Sequence, residues 1–185
     1  MRKFAIIIGV AIAGVSLLNI SFSRGEQTSA DLDAHSQSSV ARGRYLVRIS
    51  GCNDCHTPGF MQLGDKVPEA LWLTGTPVGW RGPWGTTYAS NLRLFIKPFS
   101  EDDFVKVCRA RNDRPPMPWP SLHAMNDADL RSVYQYIKAL GPAGQAMPSF
   151  VPPDQEPKTP YVSLMPKMPT TRPVNASANA SASGR

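Results

Sequence analysis

Residues 52 to 56 read Cys-Asn-Asp-Cys-His, and no other stretch constrains what this chain can fold into as strongly. A CxxCH run is the signature of covalent haem attachment. Within one tight helical turn Cys52 and Cys55 can each form a thioether to one haem vinyl group, which leaves His56 facing the iron as its proximal ligand. The run occurs once, so one covalent haem c is expected. A haem brings a large apolar surface, around which short helices can pack in a domain too small to build a generous core of its own.

The chain opens Met1-Arg2-Lys3, continues in an apolar stretch from Phe4 to Ile20 and reaches Ser21-Phe22-Ser23, small residues where a signal peptidase cuts. Residues 1–23 therefore read as a secretory signal peptide. An uncleaved anchor that would associate the protein with a membrane is the competing reading, since the apolar run is only slightly short of the roughly 20 residues that span a bilayer. Haem c is attached outside the cytoplasm in bacteria, so the signal and the CxxCH run predict the same periplasmic compartment. Without residues 1–23 the 20 Lys+Arg fall to 18 against 14 Asp+Glu, a formal excess of +4. That mild basicity suits steering toward an acidic partner or simply a soluble surface. Nothing resembles a nucleic-acid patch.

Residues 24–37 are polar, rich in Ser, Ala and Asp and without apolar period, which predicts a flexible lead-in. The folded domain is expected over 38–141, ending at Gly141-Pro142 where a helix cannot continue. Residues 142–185 are Pro-rich, then Ala/Ser-rich, and predict an extended or disordered tail. Three helices are legible. The first covers Val40 to Ser50, with Gly43, Leu46 and Val47 at helical spacing. The second starts at the N-cap Ser100 and places Phe104, Val107 and Cys108 on one face, which buries Cys108 as a small hydrophobe. The third has Asn126 as N-cap, a Met125–Leu130 staple and the stripe Leu130, Val133, Tyr134, Ile137. Between the first two, Phe60 to Pro98 is broken by glycines and predicts loops wrapped around the haem.

An electron carrier needs both axial positions filled, and Met opposite His does this. Met61 is too near His56, Met125 serves as the staple, and Met147, Met165 and Met168 lie in the tail. Met117 stands in Arg114-Pro115-Pro116-Met117-Pro118-Trp119-Pro120, whose prolines predict an extended, stiff loop fit to present a thioether. His123, six residues on, is the rival sixth ligand, with a surface or helix-flanking role as its other reading. Pro68 is a candidate to offer the carbonyl that fixes the other nitrogen of His56.

CNDCH, the loop RPPMPWP and the helix NDADLRSVYQYIKAL followed by Gly-Pro together resemble the single-haem class I c-type cytochrome domain, over residues 38–141. The likeness is greatest to cytochromes associated with bacterial periplasmic or membrane dehydrogenases, and VPPDQEPKTPY in the tail resembles the ending of that group. The resemblance implies an all-α fold, a few helices and long loops around one haem, with first and last helices crossing at Gly43 against Tyr134 or Ile137. It carries over Cys52 and Cys55 as attachment sites, His56 and Met117 as iron ligands, and Trp84, Tyr88 and Asn91 as haem contacts. The chain departs from the family pattern at Cys108, where an ordinary apolar residue is usual, and in the short stretch after Asn91.

The function expected is one-electron transfer from a dehydrogenase or respiratory complex to an oxidase or another cytochrome, without catalysis by the chain itself. A haem enzyme would need an openable distal site with acid/base groups, and a gas sensor a displaceable Met117. A thioredoxin-like reading of Cys52 and Cys55 would need a βαβ setting that the sequence lacks, and a zinc site four ligands. Arg109, Arg111 and Arg114, just before the Met loop, read as a docking rim, as partners for the haem propionates or as a solvated basic face.

Overall fold

Two helices that meet at a glycine organise the domain. The computed structural model describes the backbone of residues 20–168 and the side chains of residue 29 and of 31–168. The expected signal peptide falls, for residues 1–19, outside the described residues, as does the end of the tail at 169–185. Helix α1 (Ile20–Ile49) packs along α7 (Asp127–Leu140). A Cβ on Gly43 would fall on the backbone carbonyl of Ser132 and the Cβ of Tyr136, so only glycine lets the two backbones approach this closely. The partners are Ser132 and Tyr136 rather than Tyr134 or Ile137. Ser132 and Tyr136 lie one helical turn apart and share the face toward α1. Tyr134 turns toward the second helix of the sequence reading, α5 (Glu101–Ala110), where its ring lies 5.6 Å from Phe104 and its hydroxyl donates to Phe99 O at 2.9 Å.

The caps follow the sequence. Asn126 accepts from Asp129 N at 2.8 Å and Ser100 from Asp103 N at 3.2 Å, each satisfying an otherwise unpaired N–H of a first turn. Met125 and Leu130 both pack into the core, as the staple requires. That core runs from Leu46 and Val47 of α1 through Trp72, Leu73 and Ile96 to Leu130 and Ile137 of α7.

Three parts differ from the expectation. Residues 24–37, read as a flexible lead-in, belong to α1. Their polar composition lacks an apolar stripe, so nothing local announced the helix, and side chains 31–38 are exposed. The all-α expectation also omits a small sheet: β1 (Gly79–Gly82) and β2 (Gly85–Tyr88) form an antiparallel hairpin, and β3 (Tyr161–Ser163) adds in parallel on the far side of β1. Gly79, Gly82 and Gly85 break any strand period in the sequence, although Gly85 is required at φ +101 to turn the hairpin. Short helices α2 (Cys52–His56), α3 (Phe60–Leu63) and α4 (Leu92–Phe95) complete the middle.

The folded body does not end at Gly141. Past it, Thr86 and Val151 exchange backbone hydrogen bonds at 2.7 and 3.0 Å, Gly79 N donates to Pro160 O at 2.9 Å, and Leu164 N to Arg81 O at 2.7 Å. The Pro-rich part of the tail is thus extended and laid along the sheet. Arg93 secures the turn into it. Its buried guanidinium donates to Ala70 O at 2.7 Å and to the carbonyls of Leu140 and Gly141, the exposed dipole end of α7. Replacing Arg93 by Leu removes three hydrogen bonds and is expected to cost about 2–4 kcal/mol in urea unfolding, given roughly 0.5–1.5 kcal/mol net per bond.

Candidate functional site

A cavity of about 440 Å³ opens between α2, α5, the hairpin and the Met117 loop, and its wall is mainly apolar, with Leu92, Phe95, Phe104 and Val107 in it. Cys52, Cys55 and His56 all line it. One helical turn does this: Gly51, at φ +67, ends the approach from α1 and starts α2, and Thr57 leaves the helix in extended conformation. The turn is anchored from beneath. Thr57 Oγ1 donates to Asn53 Oδ1 at 2.7 Å and accepts from Leu73 N at 2.8 Å, and Gly75 N donates to His56 O at 2.7 Å. Leu73, fully buried, holds φ +61, a conformation a leucine keeps only where its surroundings fix it.

His56 Nδ1 lies 2.7 Å from Ser90 O. A carbonyl only accepts, so Nδ1 carries the proton and the lone pair of the neutral ring is on Nε2. Burial holds the imidazole neutral by lowering its pKa, against the opposing effect of the Ser90 bond. The carbonyl offered in the sequence reading, that of Pro68, is not the partner. Pro68 O accepts from Leu71 N instead, in the 3₁₀ turn Glu69–Leu71.

Burial pushes the thiols of Cys52 and Cys108 up to about 11 and raises Cys55 as well. These are protonated thiols, whereas a disulfide oxidoreductase works with a depressed one. No group of three or more His, Cys, Asp or Glu that could hold a metal ion occurs among the described residues, so the zinc reading gains no support from geometry. Cys108 is buried on α5 and lines the same cavity.

Met117 also lines the cavity, from the loop between α5 and the next helix. That helix, α6 (Trp119–Ala124), corrects the expectation of an extended run through Pro120: proline at the second helical position loses only an N–H that has no partner in a first turn anyway. His123 is not at the cavity. Its Nε2 is bonded to Arg111 O at 2.8 Å, so it flanks the loop rather than competing with Met117. Arg109, exposed, donates to the carbonyls of His123 and Met125 and to Asp127 at 2.8 Å, clamping the far end of the loop. Arg111 reaches the cavity wall, its guanidinium 5.3 Å from the Phe95 ring and 5.1 Å from that of Trp119.

Of the three further contacts expected, only Tyr88 lines the cavity, its hydroxyl tied to Thr159 Oγ1 at 2.7 Å. Trp84 folds over its own hairpin, against Gly82. Asn91 caps α4, accepting from Leu94 N at 3.1 Å, and its Nδ2 donates to Ala143 O at 2.8 Å and Gln145 O at 3.2 Å. The sequence reading missed Trp80, Pro148 and Phe150, all in the wall. Nothing local separates Trp80 from Trp84, and Pro148 and Phe150 arrive through the tail.

The wall suits a flat, largely apolar group with acidic edges. Its apolar lining suits a ring system, while the indole N–H groups of Trp80 and Trp119 are buried without an acceptor, and Arg111, paired with Asp113, and Arg114, over Phe150, also line the wall. Orphaned donors are uncommon in an interior; the two in the wall are open to an acceptor on a bound group, while those of Asn53 and Trp84 lie outside it. A haem, with its carboxylates, fits this donor set.

No family model and no solved structure matches the chain. Three curated proteins are similar to it. The gluconate 2-dehydrogenase cytochrome c subunit of Pantoea cypripedii is 33% identical over 119 residues, 58% of this chain and 24% of that protein. The cytochrome c subunit of the quinone alcohol dehydrogenase of Gluconobacter oxydans is 28% identical over 135 residues, 68% of this chain and 25% of that protein. The fructose dehydrogenase cytochrome subunit of Gluconobacter japonicus is 27% identical over 147 residues, 74% and 28% respectively. The chain thus spans about a quarter of the length of the curated relatives it matches, and what it resembles is one part of the cytochrome subunit of a dehydrogenase, an electron-transfer component and not a catalytic one.

Proposed function

We propose that this chain is a c-type cytochrome carrying one covalent haem, which takes single electrons from a dehydrogenase and hands them to a downstream acceptor, an oxidase or another cytochrome. The observation that carries the reading is the CxxCH turn, placed in an apolar cavity with the Nε2 lone pair of His56 free and Met117 in the same wall. Cys52 and Cys55 would hold the group covalently, and His56 and Met117 would bind its iron. The haem supplies the one-electron couple.

The chain's own residues do the rest. Ser90 keeps the His56 ring in one orientation and one tautomer, so the ligand does not turn between oxidation states. The apolar wall excludes water from the group the cavity would hold. The relatives are subunits of dehydrogenases for three different substrates, gluconate, alcohol and fructose, so the donor is a dehydrogenase of this broad kind whose substrate the cytochrome never meets. The N-terminal apolar run and the CxxCH chemistry together support export to the periplasm. No helix among the described residues is long and apolar enough to cross a membrane.

Optical spectra of the oxidised and reduced protein, the latter with and without CO, test the reading. The wild type is expected to show low-spin haem c with a Met-to-ferric-iron band and no response to CO, and Met117→Ala to lose the band and bind CO. A high-spin wild type that takes up CO at once points instead to a haem enzyme or gas sensor, and absence of covalent haem defeats the proposal outright.

A further inference from the structure

The Met117 loop cannot hold itself. Pro115, Pro116 and Pro118 have no N–H, so from 115 to 118 only Met117 offers a backbone donor. On its far side the loop is anchored: Trp119 N donates to Met117 O at 2.9 Å as α6 begins, and Arg109 clamps α6 beyond it. On its near side one hydrogen bond joins it to the sheet, from Thr87 Oγ1 to Pro115 O at 2.8 Å. Thr87 belongs to β2 directly opposite Trp80 of β1, and both line the cavity, so the tether is made from the cavity wall itself. Trp80 O, 3.4 Å from the same hydroxyl, is the poorer acceptor, and a hydroxyl has one proton to give.

We infer that Thr87 positions Met117. The inference rests on the reading of Met117 as an iron ligand and adds the device that keeps it in place. Pro115 lies two residues from Met117, less than about 7 Å of chain, and Pro116 between them restricts the backbone freedom that would let the thioether drift while Pro115 stays fixed. The sheet is stiff enough to act as the anchor because both neighbours of β1 are hydrogen-bonded to it, β2 through the hairpin and β3 through the returning tail. Thr87 is a positioning residue: it acts through Pro115 and the loop. Without its hydroxyl the thioether leaves the iron more often, and a small ligand can enter while it is away.

The test compares holo-protein Thr87→Val, which keeps the shape and removes the hydroxyl, with Thr87→Ser, which keeps the hydroxyl. Circular dichroism establishes that both fold. In Thr87→Val the Met-to-ferric-iron band is expected to weaken and to vanish at a lower temperature than in the wild type, and the ferrous form to bind CO, which the wild type excludes. Thr87→Ser should keep the band and the exclusion of CO as the wild type does. A valine variant indistinguishable from a wild type that shows the band overturns the role of Thr87 and leaves Met117 ligation standing, and equal loss in both variants overturns it too, since the hydroxyl is then not the cause. A wild type without the band defeats Met117 ligation first and this inference with it.

Discussion

Gly43→Ala is expected to lower stability by about 3 kcal/mol or more and the unfolding midpoint by roughly 10–15 °C for a domain of this size. The reason is a collision with backbone rather than with a movable side chain. The added methyl would overlap the Ser132 carbonyl, and the Cβ of Tyr136 closes the other escape. A flexible side chain could swing aside, but a carbonyl within the hydrogen-bonded ladder of α7 cannot, so the helices must separate along their whole contact and open gaps at Leu46 and Val47. Thermal and urea unfolding of the holo-protein measure the loss. Stability within 0.5 kcal/mol of the wild type would mean that α1 and α7 do not meet at this residue. The effect reaches the site as well, because α1 leads through Gly51 directly into the CxxCH turn.

Ending the chain after Gly141 is expected to be the second most damaging change, at about 2–4 kcal/mol together with loss of part of the cavity wall. The truncation removes Pro148 and Phe150 from the wall and leaves β1 with an unpaired edge. It also strips Asn91 of two carbonyl acceptors and Arg81 of its bonds to Pro153 O at 3.2 Å and Gln155 O at 2.8 Å. Each such bond contributes about 0.5–1.5 kcal/mol net, and the entropy gained by the freed segment offsets part of the sum. CO entry into the reduced truncated protein, set against exclusion by the full chain, reads the opening of the wall. If the truncated chain excludes CO and unfolds where the full chain does, the tail is not part of the site.

Arg81 and Arg114 show how the tail is held without a core of its own. Arg81 donates to Thr86 Oγ1 at 3.0 Å and to two tail carbonyls, and its guanidinium lies 5.7 Å from the Tyr161 ring. Arg114, beside the Met loop, lies 3.9 Å over the face of Phe150. Extended, proline-rich chain buries little by itself. Fixed guanidinium groups on the body recognise its carbonyls and rings, which is why a composition that reads as disorder becomes ordered here.

The sequence by itself determined whatever is local. Cys52, Cys55 and His56 share one turn because five consecutive residues do, and Ser100, Asn126, Met125 and Leu130 mark helix starts because caps and staples act within about five residues. Met117 was also singled out among seven methionines by its proline neighbours, and it does line the cavity. The tertiary structure decided what depends on residues far apart in the chain. Ser90 rather than Pro68 meets His56 from 34 positions away, and Val151 meets Thr86 from the tail. Neither carbonyl has a side-chain signature, because every residue carries one. The strands were hidden for a related reason: three glycines and a parallel partner 80 residues on leave no alternation to read, and pairing there is won by backbone bonds and by Arg81, not by a pattern of apolar side chains.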